Sequence, residues 1–161
     1  MQTLTVREGR FRIKLTADFK RLREVRLGLN GKGLNRPGLF VSYALLRKSE
    51  RMLHHYFQKG KPLGKIPLNW EQQSPFEKRV LRCVRKIPFG EVRSYGWLAR
   101  EIGMPKGARS CGQALKRNRF VLFIPCHRIV GNSSVGGFSC GVRLKEKLLA
   151  HEQAFLTRKT E

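Results

Sequence analysis

The chain has 161 residues, 40% of them hydrophobic, and carries a formal charge of +23 from 34 basic and 11 acidic side chains. This length suits one domain or two small ones, and it allows a buried core without disulfides or metal. Residues 1–72 hold 16 basic and 5 acidic side chains and residues 73–161 hold 18 and 6, so the charge is not confined to a tail. Such a surface attracts polyanions, with nucleic acid as the leading partner and an anionic membrane as the second.

The cysteines and acids exclude several classes of protein. Cys83, Cys111, Cys126 and Cys140 form no Cys-x-x-Cys pair, so no structural zinc or other metal site is expected. Asp18 is the only aspartate and the ten glutamates are scattered, which argues against a metal-dependent nuclease. No signal peptide or membrane-spanning run is evident, so we expect no membrane association. The expected location is cytoplasmic, nucleoid-associated or nuclear according to the organism, with reduced thiols.

The first 72 residues predict a small α+β domain without a chemical motif. Basic and apolar residues alternate over 10–15, and apolar residues alternate again over 25–29, which predicts two strands. Asn-Gly at 30–31 predicts a turn, and a loop follows. A helix is predicted over 42–57, beginning at a serine N-cap, and an extended stretch over 66–70 leads into a linker. The basic strand face is either a solvated surface or a DNA contact.

A second domain, residues 73–161, is predicted to be mostly helical. Ser74, followed by proline and by Glu77, has the pattern of a capping box. Apolar residues then recur with helical spacing, and Pro88 stops that helix. Ser94 caps a second helix, which Gly103 closes.

A third helix is predicted from Pro105 to about Lys116, so the second and third helices form a helix-turn-helix candidate. Small and aliphatic residues are predicted to face inward from this helix, and polar and basic residues outward, as a DNA-docking helix requires. An exposed surface helix is the alternative. The inner residues are Ala108, Cys111, Gly112 and Leu115, and the outer ones are Lys106, Arg109, Ser110, Gln113, Lys116 and Arg117.

The segment Ile124-Pro125-Cys126-His127-Arg128 follows the apolar run 120–123, which predicts a buried strand or strand-like segment. Proline ends regular pairing, so Cys126 is expected where a buried segment becomes a loop. A neighbouring histidine and arginine favour the nucleophilic thiolate. A cysteine beside a histidine is a weak signal, however, and a buried structural cysteine is the alternative. A final helix is predicted from Val142 to about Phe155.

Taken together, these motifs resemble the O6-alkylguanine-DNA alkyltransferase family in order and spacing over most of residues 74–152. The matching segments are Phe89-Gly90-Glu91-Val92, Ser94-Tyr95, Ala108-Arg109, Asn118, Ile124-Pro125-Cys126-His127-Arg128 and Gly136-Gly137-Phe138-Ser139. The combination is far more specific than the Cys-His pair alone. Residues 1–72 resemble the family's variable N-terminal domain only in size and in strand and helix character.

The resemblance implies an α+β fold with a winged-helix-like C-terminal domain and direct repair without a cofactor. Cys126 matches the residue that accepts the alkyl group from guanine O6, in a self-inactivating transfer. His127 and Glu152 match a relay in which water links the histidine to the thiol. The implied partner is double-stranded DNA carrying O6-alkylguanine, bound by a monomer.

The resemblance also implies roles for further residues. Tyr95 matches a contact to guanine and phosphate, Arg109 the finger that replaces the flipped nucleotide, and Asn118 the link between the two halves of the site. Ser139 matches a backbone donor near O6, and Cys126 and Ile129 carry carbonyls that accept from the exocyclic amine. The other predicted substrate or DNA contacts are Ser94, Lys106, Ser110, Gln113, Lys116, Arg128 and Phe138.

Two features depart from the family pattern. Cys140 stands where glycine is common, and the zinc-binding cysteines of some N-terminal domains are absent. Family members that bind lesions without catalysis lack the cysteine, so Cys126 argues against that class. The alternative function is a basic helix-turn-helix DNA-binding protein in which Cys126 is structural.

Overall fold

The computed structural model describes residues 1–18, 20–29 and 43–158. The predicted turn at 30–31, the loop after it and the predicted N-cap at Ser42 lie outside the described residues. The chain divides into two compact units, one comprising residues 1–69 with 119–123 and the other residues 70–118 with 124–161. The predicted domain boundary lay at residue 72, and residues 119–123 were placed in the second domain.

The first unit is a three-stranded antiparallel sheet with one helix. The strands, in the order β1-β2-β3, are Gln2–Glu8, Phe11–Ala17 and Leu22–Leu29, and helix α1 is Tyr43–Lys59. Strands β2 and β3 and helix α1 were predicted, whereas β1 was not.

One face of this sheet is apolar along all three strands. Val6 of β1 lies opposite Ile13 of β2, which lies opposite Leu27 of β3, and all three side chains are buried. Lys14, next along β2, is exposed. The predicted alternation of apolar and cationic residues along β2 is therefore confirmed.

The apolar run 120–123 is buried, and it is the strand-like alternative of the prediction that the structure shows. Phe120 makes an isolated bridge with Val25, and the Val25 N–H donates to the Arg119 carbonyl at 2.7 Å. Leu122 then adopts a left-handed backbone with φ 74°, a conformation that non-glycine residues rarely take. The chain therefore turns at Leu122.

The second unit contains helices α2 (Pro75–Val84), α3 (Tyr95–Glu101), α4 (Ala108–Lys116) and α5 (Val142–Thr157). The predicted capping box of α2 is present. Ser74 Oγ accepts from the Glu77 N–H at 3.2 Å, and the Glu77 carboxylate accepts from the Ser74 N–H at 2.9 Å. Among the described residues, no helix is long and apolar enough to cross a membrane.

Helices α3 and α4 form the predicted helix-turn-helix, but α4 begins three residues later than expected. The Gly107 N–H donates to the Met104 carbonyl at 2.7 Å, which closes a turn over 104–107. Pro105 therefore lies in this turn, and Lys106 precedes the helix on whose face it was placed.

A short parallel pairing connects the helix-turn-helix to the cysteine segment. Strand β4 (Arg93–Ser94) leads directly into α3, and it pairs with β5 (Ile129–Val130). Residues 126–128 form a single 3-10 turn immediately before β5. The start of α3 and the predicted catalytic segment are thus held side by side by backbone hydrogen bonds.

We predict that Ser74→Ala lowers the free energy of unfolding by about 1 kcal/mol, because it removes the side-chain acceptor of the capping box. Urea unfolding followed by circular dichroism measures this change. Ser133→Ala, on an exposed loop position, is the matched control and should leave the midpoint unchanged. An unchanged midpoint for Ser74→Ala would show that the cap does not stabilise α2.

Candidate active site

A pocket of about 510 Å³ opens in the second unit between α3, α4, the cysteine segment and the glycine-rich loop that follows β5. It brings together seven of the fifteen residues to which the sequence assigned chemistry. Its lining consists of Tyr95, Ala108, Arg109, Gly112, Gln113, Leu115, Lys116, Cys126, Gly137, Phe138 and Ser139.

Cys126 lies at the inner end of this pocket and is only 4% exposed. It begins the 3-10 turn that follows the buried run. Asn118 donates from Nδ2 to Cys126 Sγ at 3.0 Å and to the Ile124 carbonyl at 3.0 Å. Asn118 thus holds both the thiol and the backbone before it.

Burial raises the pKa of the Cys126 thiol to about 11, while the hydrogen bond from Asn118 acts in the opposite direction. At neutral pH the resting thiol is therefore protonated. Because the thiolate is the nucleophile, its attack on an electrophile requires a nearby acceptor for the proton.

His127 is fully buried beside the thiol segment, and its Nε2 lies 2.9 Å from Glu152 Oε1. Burial lowers the pKa of the imidazole, against the opposing effect of Glu152, so the ring is neutral. Burial would raise the pKa of Glu152, but hydrogen bonds from His127 and Arg128 outweigh it and lower the pKa. An ionised carboxylate only accepts hydrogen bonds, so Nε2 carries the proton and Nδ1 is the basic nitrogen.

The Nδ1 atom of His127 is buried and has no hydrogen-bond partner among the described residues. A buried polar atom of this kind is costly in a structural role. This arrangement is typical of a general base: Nδ1 can accept a proton, and Nε2 is fixed by a carboxylate.

Arg128 does not reach the pocket, and this corrects its predicted role as a DNA contact. Its side chain is 6% exposed. The guanidinium donates to Glu152 Oε1 at 2.8 Å from Nη2, and to the Ile87 carbonyl at 2.7 Å from Nη1. Arg128 is therefore buried and hydrogen-bonded, and it holds Glu152 in place without lining the pocket.

Gly90 completes the seat of the Glu152 carboxylate. Its N–H donates to Glu152 Oε2 at 2.8 Å. Its φ is +79°, and a Cβ at this position would come within 2.2 Å of Leu156 Cδ1. Both observations require glycine here, so the family-like Phe-Gly motif serves to bring a backbone donor against the carboxylate.

Lys145 is a site residue that the sequence analysis missed. Its side chain is fully buried, and Nζ donates to the carbonyls of Ile129 at 2.5 Å and Gly137 at 3.2 Å. Burial lowers its pKa to about 8, and the nearby Cys126 opposes that shift. The sequence did contain a signal for this role. Lys145, Leu148 and Glu152 are spaced so that they share one helix face, which places Lys145 on the same side of the helix as the predicted relay residue Glu152.

Tyr95 and the glycine-rich loop form the wall of the pocket opposite α4. The Tyr95 hydroxyl donates to the Gly137 carbonyl at 3.4 Å, and burial raises its pKa. Gly136 has a φ of +75°, and a Cβ there would lie 3.0 Å from the Tyr95 ring. Phe138 packs edge-on toward His127, with ring centroids 6.4 Å apart. The loop thus covers His127 and contacts the Tyr95 ring.

The outer rim of the pocket belongs to α4, although its faces divide differently from the prediction. Arg109, Gln113 and Lys116 line the pocket as expected, but so do Ala108 and Gly112, which were assigned to the inner face. The pocket-facing stripe therefore combines small residues with long polar ones, and small residues allow close approach of a ligand.

Four other predicted contacts do not line the pocket, and one of them, Ile129, is fully buried. Ser110 and Lys106 are exposed but lie outside its lining. Ser94 accepts from the Trp97 N–H at 3.0 Å, so its hydroxyl oxygen caps α3. Among the described residues, no three His, Cys, Asp or Glu side chains are grouped to hold a metal ion.

Comparison with known proteins gives matches over the same region. Residues 75–154 match the family described as 6-O-methylguanine DNA methyltransferase, DNA binding domain. A methylated-DNA–protein-cysteine methyltransferase of Methanosarcina acetivorans is 34% identical over 142 residues, covering 87% of this chain and 90% of that protein. This chain belongs to the methylated-DNA–protein-cysteine methyltransferase family.

Other relatives agree with this assignment. The constitutive methyltransferase of Bacillus subtilis is 38% identical over 95 residues, which cover 58% of this chain and 57% of that protein. The crystal structure of Mycobacterium tuberculosis OGT in complex with DNA superposes with a TM-score of 0.77 at 26% identity, covering 95% of this chain and 92% of that one. The resemblance stated from the motifs, and the α+β fold it implied, are confirmed.

Family membership names an activity, the transfer of a methyl group from DNA to a protein cysteine, and the matched region contains the whole buried network. Cys126, His127 and Glu152 all fall within residues 75–154. Lys145 falls there as well. The methyltransferase fold thus carries its cysteine within a chain of buried polar contacts.

We predict that Glu152→Gln lowers the free energy of unfolding at pH 7 by about 3 kcal/mol, because it leaves Arg128 buried without its carboxylate partner. A carboxylate whose folded pKa is lowered contributes stability above its unfolded pKa of about 4.5 and loses it as pH falls. The variant should therefore lose less stability than the parent between pH 6 and pH 3.

Denaturant unfolding at several pH values measures both effects. Glu146→Gln, at an exposed position on the same helix, is the control and should behave like the parent. Parallel pH curves for the parent and Glu152→Gln would contradict the assignment of an ionised, buried Glu152.

Proposed function

We propose that this chain repairs DNA directly, by moving an alkyl group from O6 of guanine to Cys126 Sγ in one turnover. A bond forms between sulfur and the alkyl carbon, and the bond between that carbon and O6 breaks. The thiol proton leaves through the histidine relay, and the departing guanine takes up a proton. The observation that supports this reaction best is the buried thiol at the end of a pocket rimmed by the helix-turn-helix.

The geometry of the pocket favours a base that has left the duplex. An O6 lesion lies inside the base stack, so its alkyl carbon is reached only if the nucleotide is extruded. The Cys126 thiol is almost inaccessible from outside the pocket, so the substrate must enter it. A pocket of about 510 Å³ is within the usual range for small-ligand sites.

The proton relay follows from the orientation of His127. With Nε2–H held by the ionised Glu152 carboxylate, the unpartnered Nδ1 is the acceptor for the thiol proton. A bridging water, as in the family's relay, supplies the connection to sulfur. Buried His127 becomes a cation as it accepts this proton, and the adjacent carboxylate stabilises that cation.

Recognition of the guanine uses the walls of the pocket. We assign Tyr95 to the base, and the backbone near Ser139 to O6 as negative charge develops there. The carbonyls of Cys126 and Ile129 already accept from the Ile129 N–H and from Lys145. Each carbonyl has a second lone pair, which leaves it able to accept from the exocyclic amine. DNA outside the pocket is bound by Arg109, Gln113 and Lys116, and the protein acts as a monomer.

We predict that Cys126→Ser binds O6-methylguanine duplex but transfers nothing, because a serine hydroxyl is a far weaker nucleophile. Intact-mass spectrometry after incubation with the duplex should show a gain of one methyl group in the parent and none in the variant. Peptide mapping should place that methyl on Cys126. The control Cys140→Ser should still be methylated, and a methyl on Cys83, Cys111 or Cys140 would refute the assignment.

We predict that Arg109→Ala slows transfer from duplex DNA more than tenfold and leaves the reaction with free O6-benzylguanine nearly unchanged. Arg109 is exposed on α4 at the rim of the pocket, where it can occupy the space left by the flipped nucleotide. Flipping costs a few kcal/mol in a duplex, and a free base has no stack to leave.

Second-order rate constants on both substrates test the role of Arg109. Tyr95→Phe is the comparison variant, since it removes a hydroxyl beside the base and should slow both reactions. An equal loss on both substrates for Arg109→Ala would mean that Arg109 shapes the pocket instead of supporting base flipping.

A further inference from the structure

A second concave surface of about 560 Å³ lies between α2 and α3, and the function proposed above does not use it. We call it the α2–α3 groove and define it by six of its lining residues: Arg79, Arg82, Lys86, Arg93, Trp97 and Glu101. It shares no lining residue with the alkyl-acceptor pocket.

The groove and the pocket open on different sides of α3. Tyr95 lines the pocket, whereas Trp97, two residues later, lines the groove. At 3.6 residues per turn, positions two apart on a helix point about 200° away from each other. One short duplex seated at the pocket therefore does not reach the groove without bending sharply, and duplex DNA is stiff on this scale.

The charge of the groove is strongly positive. Arg79 and Arg82 lie three residues apart on α2, and Lys86 follows four residues later, just beyond the end of the helix. The Lys86 N–H donates to the Cys83 carbonyl at 3.1 Å, so this turn continues the path of the helix and the three cations span about 10 Å. All three are exposed, and none has an ion pair with a carboxylate in the part of the chain that the structure describes. Like charges at this spacing repel each other and lower helix stability slightly. Binding of an anionic partner would remove that repulsion.

Three of the groove's guanidinium groups lie over aromatic rings. Arg79 lies 6.0 Å from the centroid of the Phe76 ring, and Arg82 lies 5.7 Å from that of Trp70. A guanidinium fixed in this way loses less conformational freedom when it binds a phosphate.

Arg93 lies 5.6 Å from the centroid of Trp97 and is also ion-paired with Glu91 at 2.5 Å, so within the described ranges Arg79, Arg82 and Lys86 carry the unpaired charge of the groove. Because Arg93 covers the Trp97 ring, that ring is not open for base stacking, and contacts to phosphate are favoured over contacts to bases.

We propose that the α2–α3 groove binds the sugar-phosphate backbone of a second DNA segment, so that one protein molecule bridges two duplexes. The proposal rests on the DNA partner of the proposed function. Its spacing fits, since a row of cations over about 10 Å faces successive phosphates at about 3.4 Å of helix axis per strand. The contact is sequence-independent, as phosphate contacts are.

Bridging is tested directly with two duplexes. One unmodified duplex is fixed to beads and a second, fluorescently labelled, is offered in the presence of protein. The groove variant is Arg79→Gln, Arg82→Gln and Lys86→Gln together. The matched control removes the same three charges from exposed positions of α1, by Lys48→Gln, Arg51→Gln and Lys59→Gln.

The parent and the control should retain the labelled duplex, and the groove variant should retain at least tenfold less. The dependence of the bridging contact on salt should fall by about one unit of log slope for each lost phosphate contact. Transfer from free O6-benzylguanine, which needs no DNA contact, should be equal in all three proteins and so shows that the variant is folded. Equal bridging by the groove variant and the control would overturn the proposal.

The intrinsic fluorescence of the protein locates the contact. The chain has two tryptophans, and both Trp70 and Trp97 lie against groove arginines. Adding a second duplex to protein already saturated with a first should change tryptophan emission in the parent but not in the groove variant. If poly-glutamate changes the emission and a second duplex does not, the groove takes an acidic protein segment and the proposal fails.

The bridging assay with the Cys126→Ser variant separates this proposal from the proposed repair function, because bridging needs no thiol and should be unchanged in that variant. If the parent bridges two duplexes but transfers no methyl group, only the repair function is refuted. Transfer by the parent without bridging would refute only the groove.

Discussion

The buried Glu152 carboxylate is the interaction on which the site depends. It accepts hydrogen bonds from the His127 ring, the Arg128 guanidinium and the Gly90 backbone. His127 and Arg128 are neighbours in the sequence and Gly90 lies well before them, and the carboxylate joins all three to α5. Burying one carboxylate without partners would cost several kcal/mol. The three donors together offset that cost, and the hydrogen bond to Glu152 fixes the orientation of the His127 ring.

Lys145 holds the glycine-rich loop in place by hydrogen bonds, as Glu152 holds the cysteine segment. From one helix face, Lys145 reaches the carbonyl of Ile129, which lies in β5 before the loop, and the carbonyl of Gly137 within the loop. A buried ammonium is stable only with such acceptors around it. Helix α5 thus presents one cation and one anion toward the site, seven residues apart, and each of them fixes a different wall of the pocket.

The sequence allowed local structure to be predicted well, and contacts distant in sequence less well. Strand β2, the capping box at Ser74 and the helix-turn-helix follow from periodicity and capping residues, which are local signals. Strand β1 was missed because its short Thr-Leu-Thr-Val alternation is completed only by pairing with β2. Arg128 was among the predicted DNA contacts, and only the fold shows that its guanidinium is paired with Glu152. Family resemblance supplied Cys126, His127 and Glu152; their chemistry alone left the nucleophile undecided.

The high pKa of Cys126 is consistent with a protein that reacts only once. Burial keeps the thiol protonated and almost inaccessible, while Asn118 offers a hydrogen bond that stabilises the thiolate whenever it forms. A permanently ionised, exposed thiolate would react with any electrophile it met, and each such encounter would consume one molecule. A thiol that loses its proton to His127 only when a base fills the pocket avoids that loss. The same burial that raises the pKa of the thiol thus limits its reaction to a base that has entered the pocket.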